Sequence, residues 1–208
     1  MNDQNPDAPP SNANKTHKQQ MQKLKANQRE KHLASKNADR GLVLVHTGNG
    51  KGKSSSAFGV LIRALGWGHT VGVVQYVKGT WKTGEKNFFS NLDVDWYSMG
   101  EGFTWDTQDR ERDIAAAKAA FEQSKTMISH GDYDLVLLDE INIALRYDYL
   151  DVQAVIAAVE ARHVRTSVIL TGRDAKDELI DVADLVTEMK EVKHPFKAGI
   201  RAKQGIDF

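Results

Sequence analysis

The feature that most constrains this chain is a turn rich in glycine and lysine that stands between a short β-branched run and a helical pattern. Its residues are Thr47, Gly48, Asn49, Gly50, Lys51, Gly52, Lys53 and Ser54. Alternating glycines let successive backbone N–H groups point at phosphate oxygens, and the N-terminus of the following helix adds partial positive charge. A strand, this turn and then a helix are the context of a P-loop, so the turn predicts a site for a nucleotide's phosphates.

Within the turn, Lys53 is predicted to bind phosphate oxygens and the Ser54 hydroxyl to reach a bound Mg²⁺. The turn departs from the common pattern because the first glycine should stand five residues before Gly52, at Thr47, whereas Gly48 comes one residue later. We therefore expect a cradle shaped differently from that of ordinary kinases and ATPases. An incidental Gly-Lys-Ser is the alternative, and the flanking strand and helix disfavour it.

A second motif is an apolar run, residues 135–138, that ends in the carboxylates Asp139 and Glu140. Open α/β sheets bind ligands at the C-terminal ends of their strands, so these carboxylates are expected beside the P-loop. Asp139 is predicted to bind a metal ion or a water molecule on that metal. Glu140 either shares this role or holds another part of the site. A purely structural role for the two carboxylates is the alternative.

From Gly41 onward, β-branched runs alternate with helical patterns, which is typical of repeated βαβ units. Strands are predicted at residues 42–47, 71–77, 94–98, 135–139, 167–171 and 185–188. The clearest helices are predicted at residues 54–65, 110–129, 151–161 and 175–183. The predicted fold class is α/β, a single P-loop NTPase-like (RecA-like) domain whose mainly parallel sheet has about six strands, with helices on both faces.

The first 40 residues are predicted to form a flexible basic segment, separate from a P-loop α/β domain over residues 41–208. They carry eight of the 28 basic side chains and four of the 28 acidic ones, so the segment is +4 and the rest of the chain is −4. Its large apolar residues after position 14 are Met21, Leu24 and Leu33, so a helix there has only a thin apolar stripe. A solvated leader and a helical lid over a ligand site both remain open.

The composition excludes several kinds of chemistry. The absence of cysteine excludes disulfides, thiolate metal sites and cysteine nucleophiles, and it is compatible with a cytoplasmic protein. No apolar run approaches the roughly 18 residues of a membrane span. Equal numbers of acidic and basic residues provide no strong net field for nucleic acid or an anionic membrane, so neither partner is expected.

Seven segments, taken together in their order and spacing, resemble the P-loop ATP:corrinoid adenosyltransferases that act on cob(I)alamin and cob(I)yrinic acid a,c-diamide. The segments are residues 46–54, 102–105, 138–140, 147–150, 171–173, 193–196 and 205–208. The resemblance covers most of residues 41–208. Lys203 departs from the glutamine expected in this family, which leaves the role of the last residues open.

The resemblance implies a homodimeric enzyme that binds ATP and Mg²⁺ in the P-loop and a corrinoid substrate over the C-terminal edge of the sheet. Reduced Co(I) of the corrinoid would attack the ribose 5′ carbon of ATP and displace triphosphate. An electron donor such as a reduced flavin or flavodoxin would be needed to reduce the cobalt. The basic N-terminal segment would form a helix that covers the corrinoid.

The predicted catalytic residues are Lys53, Phe103, Trp105 and Glu140. By resemblance, Phe103 and Trp105 press on the lower face of the corrin and keep water or the lower ligand away from cobalt, and the alternative is packing onto the sheet edge. Lys78 and Arg173 are predicted to contact the nucleotide, because each follows a strand that ends at the ligand edge. Tyr147 and Tyr149 are interpreted most simply as packing at a helix end.

Two other functions compete with adenosyl transfer. A P-loop phosphotransferase or hydrolase would use Glu140 to orient water or a hydroxyl toward the terminal phosphate, and it would release ADP. A non-catalytic nucleotide switch would bind ATP tightly without turnover. The phosphate product therefore distinguishes these functions from adenosyl transfer, which releases intact triphosphate.

Overall fold

The computed structural model describes residues 12–34, 40–77, 83–99 and 109–207. The chain divides into two units, of which the N-terminal one ends at Ala38. Its described part is a single helix, α1 (Asn12–Ala34), on which Met21, Leu24 and Leu33 are exposed. A helix in the basic segment is therefore present, and its role as a lid remains a prediction.

The second unit contains a six-stranded sheet in which all strands run parallel in the order β3-β2-β4-β5-β1-β6. The strands are β1 (Val43–Thr47), β2 (Val71–Gln75), β3 (Asp95–Ser98), β4 (Leu135–Asp139), β5 (Ser167–Thr171) and β6 (Leu185–Glu188). Each lies within two residues of its predicted bounds. One strand, β5, separates the P-loop strand β1 from the acidic strand β4.

Helices cover both faces of the sheet, so the predicted fold class is confirmed. They are α2 (Lys53–Gly66), α3 (Gly84–Phe89), α4 (Arg110–Ser129), α5 (Ile141–Arg146), α6 (Val152–Glu160) and α7 (Asp177–Val182), followed by a 3₁₀ turn, Pro195–Ala198. Alternate residues of β4 face opposite sides because side chains alternate along a strand. Leu138 packs in the core beneath α4 to α7, and Leu137 packs with α2 and α3.

No helix in the described ranges is long and apolar enough to cross a membrane. The longest are α1 and α4, and both carry many charged side chains.

The strand ends bring the predicted motifs to one edge of the sheet. His46 pairs with Thr171 across β1 and β5, and Gln75 pairs with Asp139 across β2 and β4. At the sheet border, β6 pairs with β1 and leaves Leu185 and Val186 exposed. The P-loop, the acidic pair and the turn after β5 therefore lie side by side.

Two P-loop glycines approach the backbone that leaves β6. A Cβ atom on Gly48 would lie 2.6 Å from the carbonyl oxygen of Met189, and one on Gly50 would lie 2.8 Å from Lys190 backbone atoms. The N–H of Met189 donates to Thr47 O at 2.8 Å, and the N–H of Gly50 donates to Met189 O at 2.6 Å. Gly48 also has a φ of 95°, which L side chains rarely adopt. The loop is therefore built against a backbone wall that leaves no room for side chains at these positions.

Replacement of Gly48 by alanine is expected to lower the free energy of unfolding by about 1–3 kcal/mol, because it adds a backbone clash to an unfavourable φ. The measurement is urea denaturation. Gly59→Ala is the matched control, since Gly59 lies on an exposed part of α2 with nothing within 4 Å of an added Cβ. It should raise stability by about 0.5–1 kcal/mol. Equal effects of the two substitutions would contradict the proposed constraint.

Candidate functional site

A cavity of about 720 Å³ opens at the C-terminal edge of the sheet. Its walls come from the P-loop, the end of β2, α3, the start of α4, α5 and its following turn, the turn after β5, and the C-terminal turn. The lining residues are Gly50, Lys51, Gly52, Lys53, Ser54, Ser55, Val77, Glu85, Asp109, Arg110, Asp113, Glu140, Ile143, Arg146, Tyr147, Tyr149, Arg173, Ile206 and Asp207. Ligand cavities commonly measure about 300–1,000 Å³, so a nucleotide-sized molecule is an appropriate ligand.

The P-loop presents the start of α2 to this cavity. Gly52 precedes the helix with a φ of 114°, and an added Cβ there would meet nothing within 4 Å. The first N–H groups of a helix lack partners within the helix, and Gly52 has no side chain to cap them. This end of α2 therefore provides donors and partial positive charge for an anionic group.

Lys53 is held at the centre of the loop. Its side chain is buried, and its Nζ donates to Gly48 O at 2.8 Å and to Gly50 O at 2.7 Å. Burial lowers the pKa of Lys53, while the nearby Glu140 carboxylate opposes this shift. The loop thus positions its cation with its own carbonyl groups.

His46 supports the loop from below, a role that the sequence motif did not reveal. It is 4% exposed, and its Nδ1 lies 2.9 Å from Ser56 Oγ. The Ser56 hydroxyl also lies 2.9 Å from Lys53 O, to which it can donate. This chain of hydrogen bonds connects the end of β1 to the first turn of α2.

The two carboxylates of the acidic pair occupy different positions. Asp139 is fully buried, and its oxygens accept hydrogen bonds from Thr171 Oγ1 at 2.8 Å and Gln75 Nε2 at 3.1 Å. Glu140 lines the cavity and has left-handed backbone angles, φ 62° and ψ 21°. The structure therefore places Glu140 where a ligand can contact it and Asp139 behind it.

The carboxylates and hydroxyls near the cavity can be compared with the oxygen ligands that a Mg²⁺ ion requires. Within the described ranges, no group of three or more His, Asp or Glu side chains is arranged to hold a metal. Mg²⁺ at nucleotide sites uses one or two carboxylates and completes its shell with phosphates and water. Ser54 and Glu140 both line the cavity and offer a hydroxyl and a carboxylate, so they fit such an ion.

The wall formed by α5 and α4 contains two tyrosines flanked by arginines. Tyr147 and Tyr149 pack at the end of α5 as expected, with ring centroids 5.7 Å apart and planes 28° apart. Both also line the cavity. Arg110 lies 5.3 Å from the Tyr149 ring and donates to Tyr147 O at 3.2 Å. The contribution of Arg110 was not predicted, because nothing in its spacing links α4 to this turn.

The C-terminal turn reaches the P-loop through an ion pair at 2.5 Å between Lys51 Nζ and Asp207 Oδ1. The other oxygen of Asp207 accepts from Lys203 N at 2.8 Å. These hydrogen bonds, that from Lys51 first, lower the pKa of Asp207. Ile206 and Asp207 both line the cavity, so the C-terminal turn belongs to the site.

The remaining predicted site residues divide into three groups. Arg173 follows β5, is exposed and lines the cavity, as expected of a residue at the ligand edge. The residues at the start of the loop, Thr47, Gly48 and Asn49, lie outside the cavity lining, and Thr47 Oγ1 accepts from Ala175 N at 3.0 Å. A third group, which lies outside the described residues, comprises Lys78, Phe103 and Trp105.

Comparison with known proteins gives consistent matches. The model of the family "ATP:corrinoid adenosyltransferase BtuR/CobO/CobP" matches residues 39–208. A corrinoid adenosyltransferase of Pseudomonas aeruginosa is 51% identical over 194 residues, covering 92% of this chain and 95% of that protein. One from Sinorhizobium sp is 48% identical, covering 97% of this chain and 96% of that protein.

A third relative, the corrinoid adenosyltransferase CobA of Salmonella typhimurium, is 44% identical over 192 residues, covering 92% of this chain and 97% of that protein. The family match spans the sheet, the P-loop and the C-terminal turn that together build the cavity. The chain therefore belongs to the ATP:corrinoid adenosyltransferase family, as its motifs predicted.

Proposed function

We propose that this chain transfers the 5′-deoxyadenosyl group of ATP to Co(I) of a corrinoid, cobalamin or cob(I)yrinic acid a,c-diamide, and releases triphosphate. The observation that carries this proposal is a P-loop with a displaced first glycine that opens into a cavity of about 720 Å³, in a member of this family. The loop would bind the triphosphate, and the cavity beside it would hold the sugar.

The reaction needs no nucleophile from the protein, because reduced cobalt of the substrate supplies the electron pair. A Co–C bond forms at the ribose 5′ carbon while the bond from that carbon to the phosphate oxygen breaks, and its electrons leave with triphosphate. Lys51, Lys53 and Arg173 line the cavity as cations that would bind this leaving group. Alignment of the two reactants contributes about 7–11 kcal/mol in well-oriented systems.

Mg²⁺ is proposed as the ion bound with ATP, held by Ser54 and Glu140 with Asp139 supporting them from behind. When bound, the ion would offset negative charge on the triphosphate. Lys53, already fixed by two loop carbonyls, would exchange these contacts for phosphate oxygens. The start of α2 would donate its N–H groups to the same phosphates.

The corrinoid end of the site extends the proposal to residues outside the described ranges. Phe103 and Trp105 would press on the lower face of the corrin, and Lys78 would contact the nucleotide. The basic N-terminal segment would cover the corrinoid. A reduced flavin or flavodoxin is the proposed electron donor, a homodimer the proposed assembly, and the cytoplasm the proposed compartment. Support for these points comes from the motifs shared with the family.

Purified protein mixed with Mg-ATP and chemically reduced cob(I)alamin should produce a light-sensitive alkylcobalamin spectrum together with triphosphate. Product formation by Lys53→Ala should fall by at least about 10²–10³-fold, since it loses a positioned charge at the leaving group. Lys125→Ala, on the outer surface of α4 and paired with Glu122, is the control and should retain activity. ADP as the phosphate product would refute adenosyl transfer.

Phe103→Ala should impair the reaction far more when it starts from Co(II) and a weak reductant than when it starts from chemically prepared Co(I). The reason is that the aromatic side chain is proposed to exclude the lower ligand that stabilises Co(II). Initial rates from the two starting states provide the measurement. Equal losses from both states would remove this role from Phe103.

Asp207→Asn should bind ATP about two- to fivefold more tightly, because triphosphate would compete with Asp207 for Lys51 and ion pairs near the surface contribute little. Titration calorimetry measures the affinity. Glu122→Gln is the matched control, because it removes a carboxylate paired with Lys125 on α4, and neither residue lines the cavity. Weaker binding by Asp207→Asn would show that Asp207 positions Lys51 rather than competing with the ligand.

A further inference from the structure

A single buried carboxylate connects three strands at the ligand edge of the sheet. Asp139 at the end of β4 accepts from Gln75 on β2 at 3.1 Å and from Thr171 on β5 at 2.8 Å. Asp139 and Thr171 are fully buried, and Gln75 is 3% exposed. Charged and polar groups that are fully buried need well-placed hydrogen bonds, so these bonds fix the orientation of the three side chains.

The hydroxyl of Thr171 makes two contacts at once. It donates its proton to Asp139 Oδ1, and it accepts a hydrogen bond from the backbone N–H of Glu140 at 2.8 Å. A hydroxyl carries one proton, so donation to the carboxylate leaves its lone pairs for the amide. Thr171 therefore ties the backbone of a cavity residue to the buried carboxylate next to it.

The backbone of Glu140 is held in a conformation that a non-glycine residue seldom adopts, with φ at 62°. Such a conformation persists where surrounding contacts enforce it, and it occurs often at functional sites. Helix α5 begins directly after Glu140, and Ile143 N donates to Glu140 O at 3.0 Å. The backbone of Glu140 is therefore fixed on two sides, by its hydrogen bond to Thr171 and by the start of α5.

We propose that Thr171 is a positioning residue that holds Glu140 so that its carboxylate faces the metal-bound triphosphate. The proposal rests on the function proposed above for the identity of that ligand. Thr171 itself does not line the cavity, so it acts through Glu140 and Asp139. Groups that orient metal-binding residues in this way typically change metal affinity by about 10–100-fold when they are removed.

The same strand offers a matched control at its opposite end. Thr166 comes immediately before β5, is fully buried, and donates from Oγ1 to Tyr133 O at 2.7 Å. Thr166→Val therefore also removes a buried hydroxyl and its hydrogen bond, but it does so at the edge of the sheet away from the cavity. A general loss of stability should affect Thr166→Val and Thr171→Val alike.

The test is calorimetric titration of ATP into wild type, Thr171→Val, Thr171→Ser and Thr166→Val, each with Mg²⁺ and with a chelator. Thr171→Val should lose about 10–100-fold of its affinity for ATP with Mg²⁺. Its affinity for metal-free ATP should stay near that of wild type. Thr171→Ser keeps the hydroxyl and should restore Mg²⁺-dependent binding, while Thr166→Val should resemble wild type in both titrations.

Hydrogen exchange provides a readout without ligand. The Glu140 amide loses its acceptor in Thr171→Val and should exchange faster than in wild type, whereas Thr171→Ser and Thr166→Val should protect it as wild type does. If Thr171→Val does not fold, Thr171→Ala takes its place, because the smaller side chain admits water beside Asp139 while still removing the hydroxyl.

Equal behaviour of the Thr171 and Thr166 valine variants in both measurements would overturn the positioning role. Equal affinity of wild type for ATP with Mg²⁺ and with chelator would also overturn the positioning role, since no bound metal would then contact Glu140. Either result leaves adenosyl transfer itself to be judged by the products of wild type. Release of ADP by wild type would reject the proposed function independently of Thr171.

Discussion

The site depends on the contact between the P-loop and the backbone that follows β6. Hydrogen bonds of 2.8 Å and 2.6 Å join Met189 to Thr47 and Gly50, and the close approach excludes side chains at Gly48 and Gly50. These two glycines are therefore required by packing of the protein on itself, whereas Gly52 has open space beside it. Contacts within the protein therefore define the shape of the loop, and Lys53 lies inside it on the loop's own carbonyls.

The cavity contains basic side chains that suit a polyanionic ligand, together with carboxylates that offset part of their positive charge. Lys53 is buried enough that its pKa is lowered, and Glu140 counters part of that shift. Lys51 is paired with Asp207 of the C-terminal turn. Each lysine thus has a carboxylate nearby that offsets its charge, which reduces the cost of keeping several positive charges together. Asp139 does not pair with these lysines, because it accepts hydrogen bonds from neighbouring strand ends.

Sequence patterns predicted the sheet well, because short β-branched runs separated by helices have few alternative structures. Among the six-residue helices α3, α5 and α7, only α7 was predicted, at residues 175–183. The bounds of α3 and α5 were not predicted, since fewer than two turns show little of the helical period. The strand order, with β5 between β1 and β4, came only from the structure. For the site, the P-loop and the acidic pair were predicted from local motifs. The Lys51–Asp207 pair joins distant parts of the chain, so no spacing rule could reveal it.

The position of β6 at the sheet border has a consequence for dynamics. An edge strand has hydrogen-bonded neighbours on one side only, and local opening of a protein begins at such weakly held elements. Since the segment after β6 forms the wall of the P-loop, fraying of this strand would deform the phosphate cradle. A nucleotide that binds only the intact cradle must then suppress the fraying, so occupancy of the loop and order at the sheet border are thermodynamically linked.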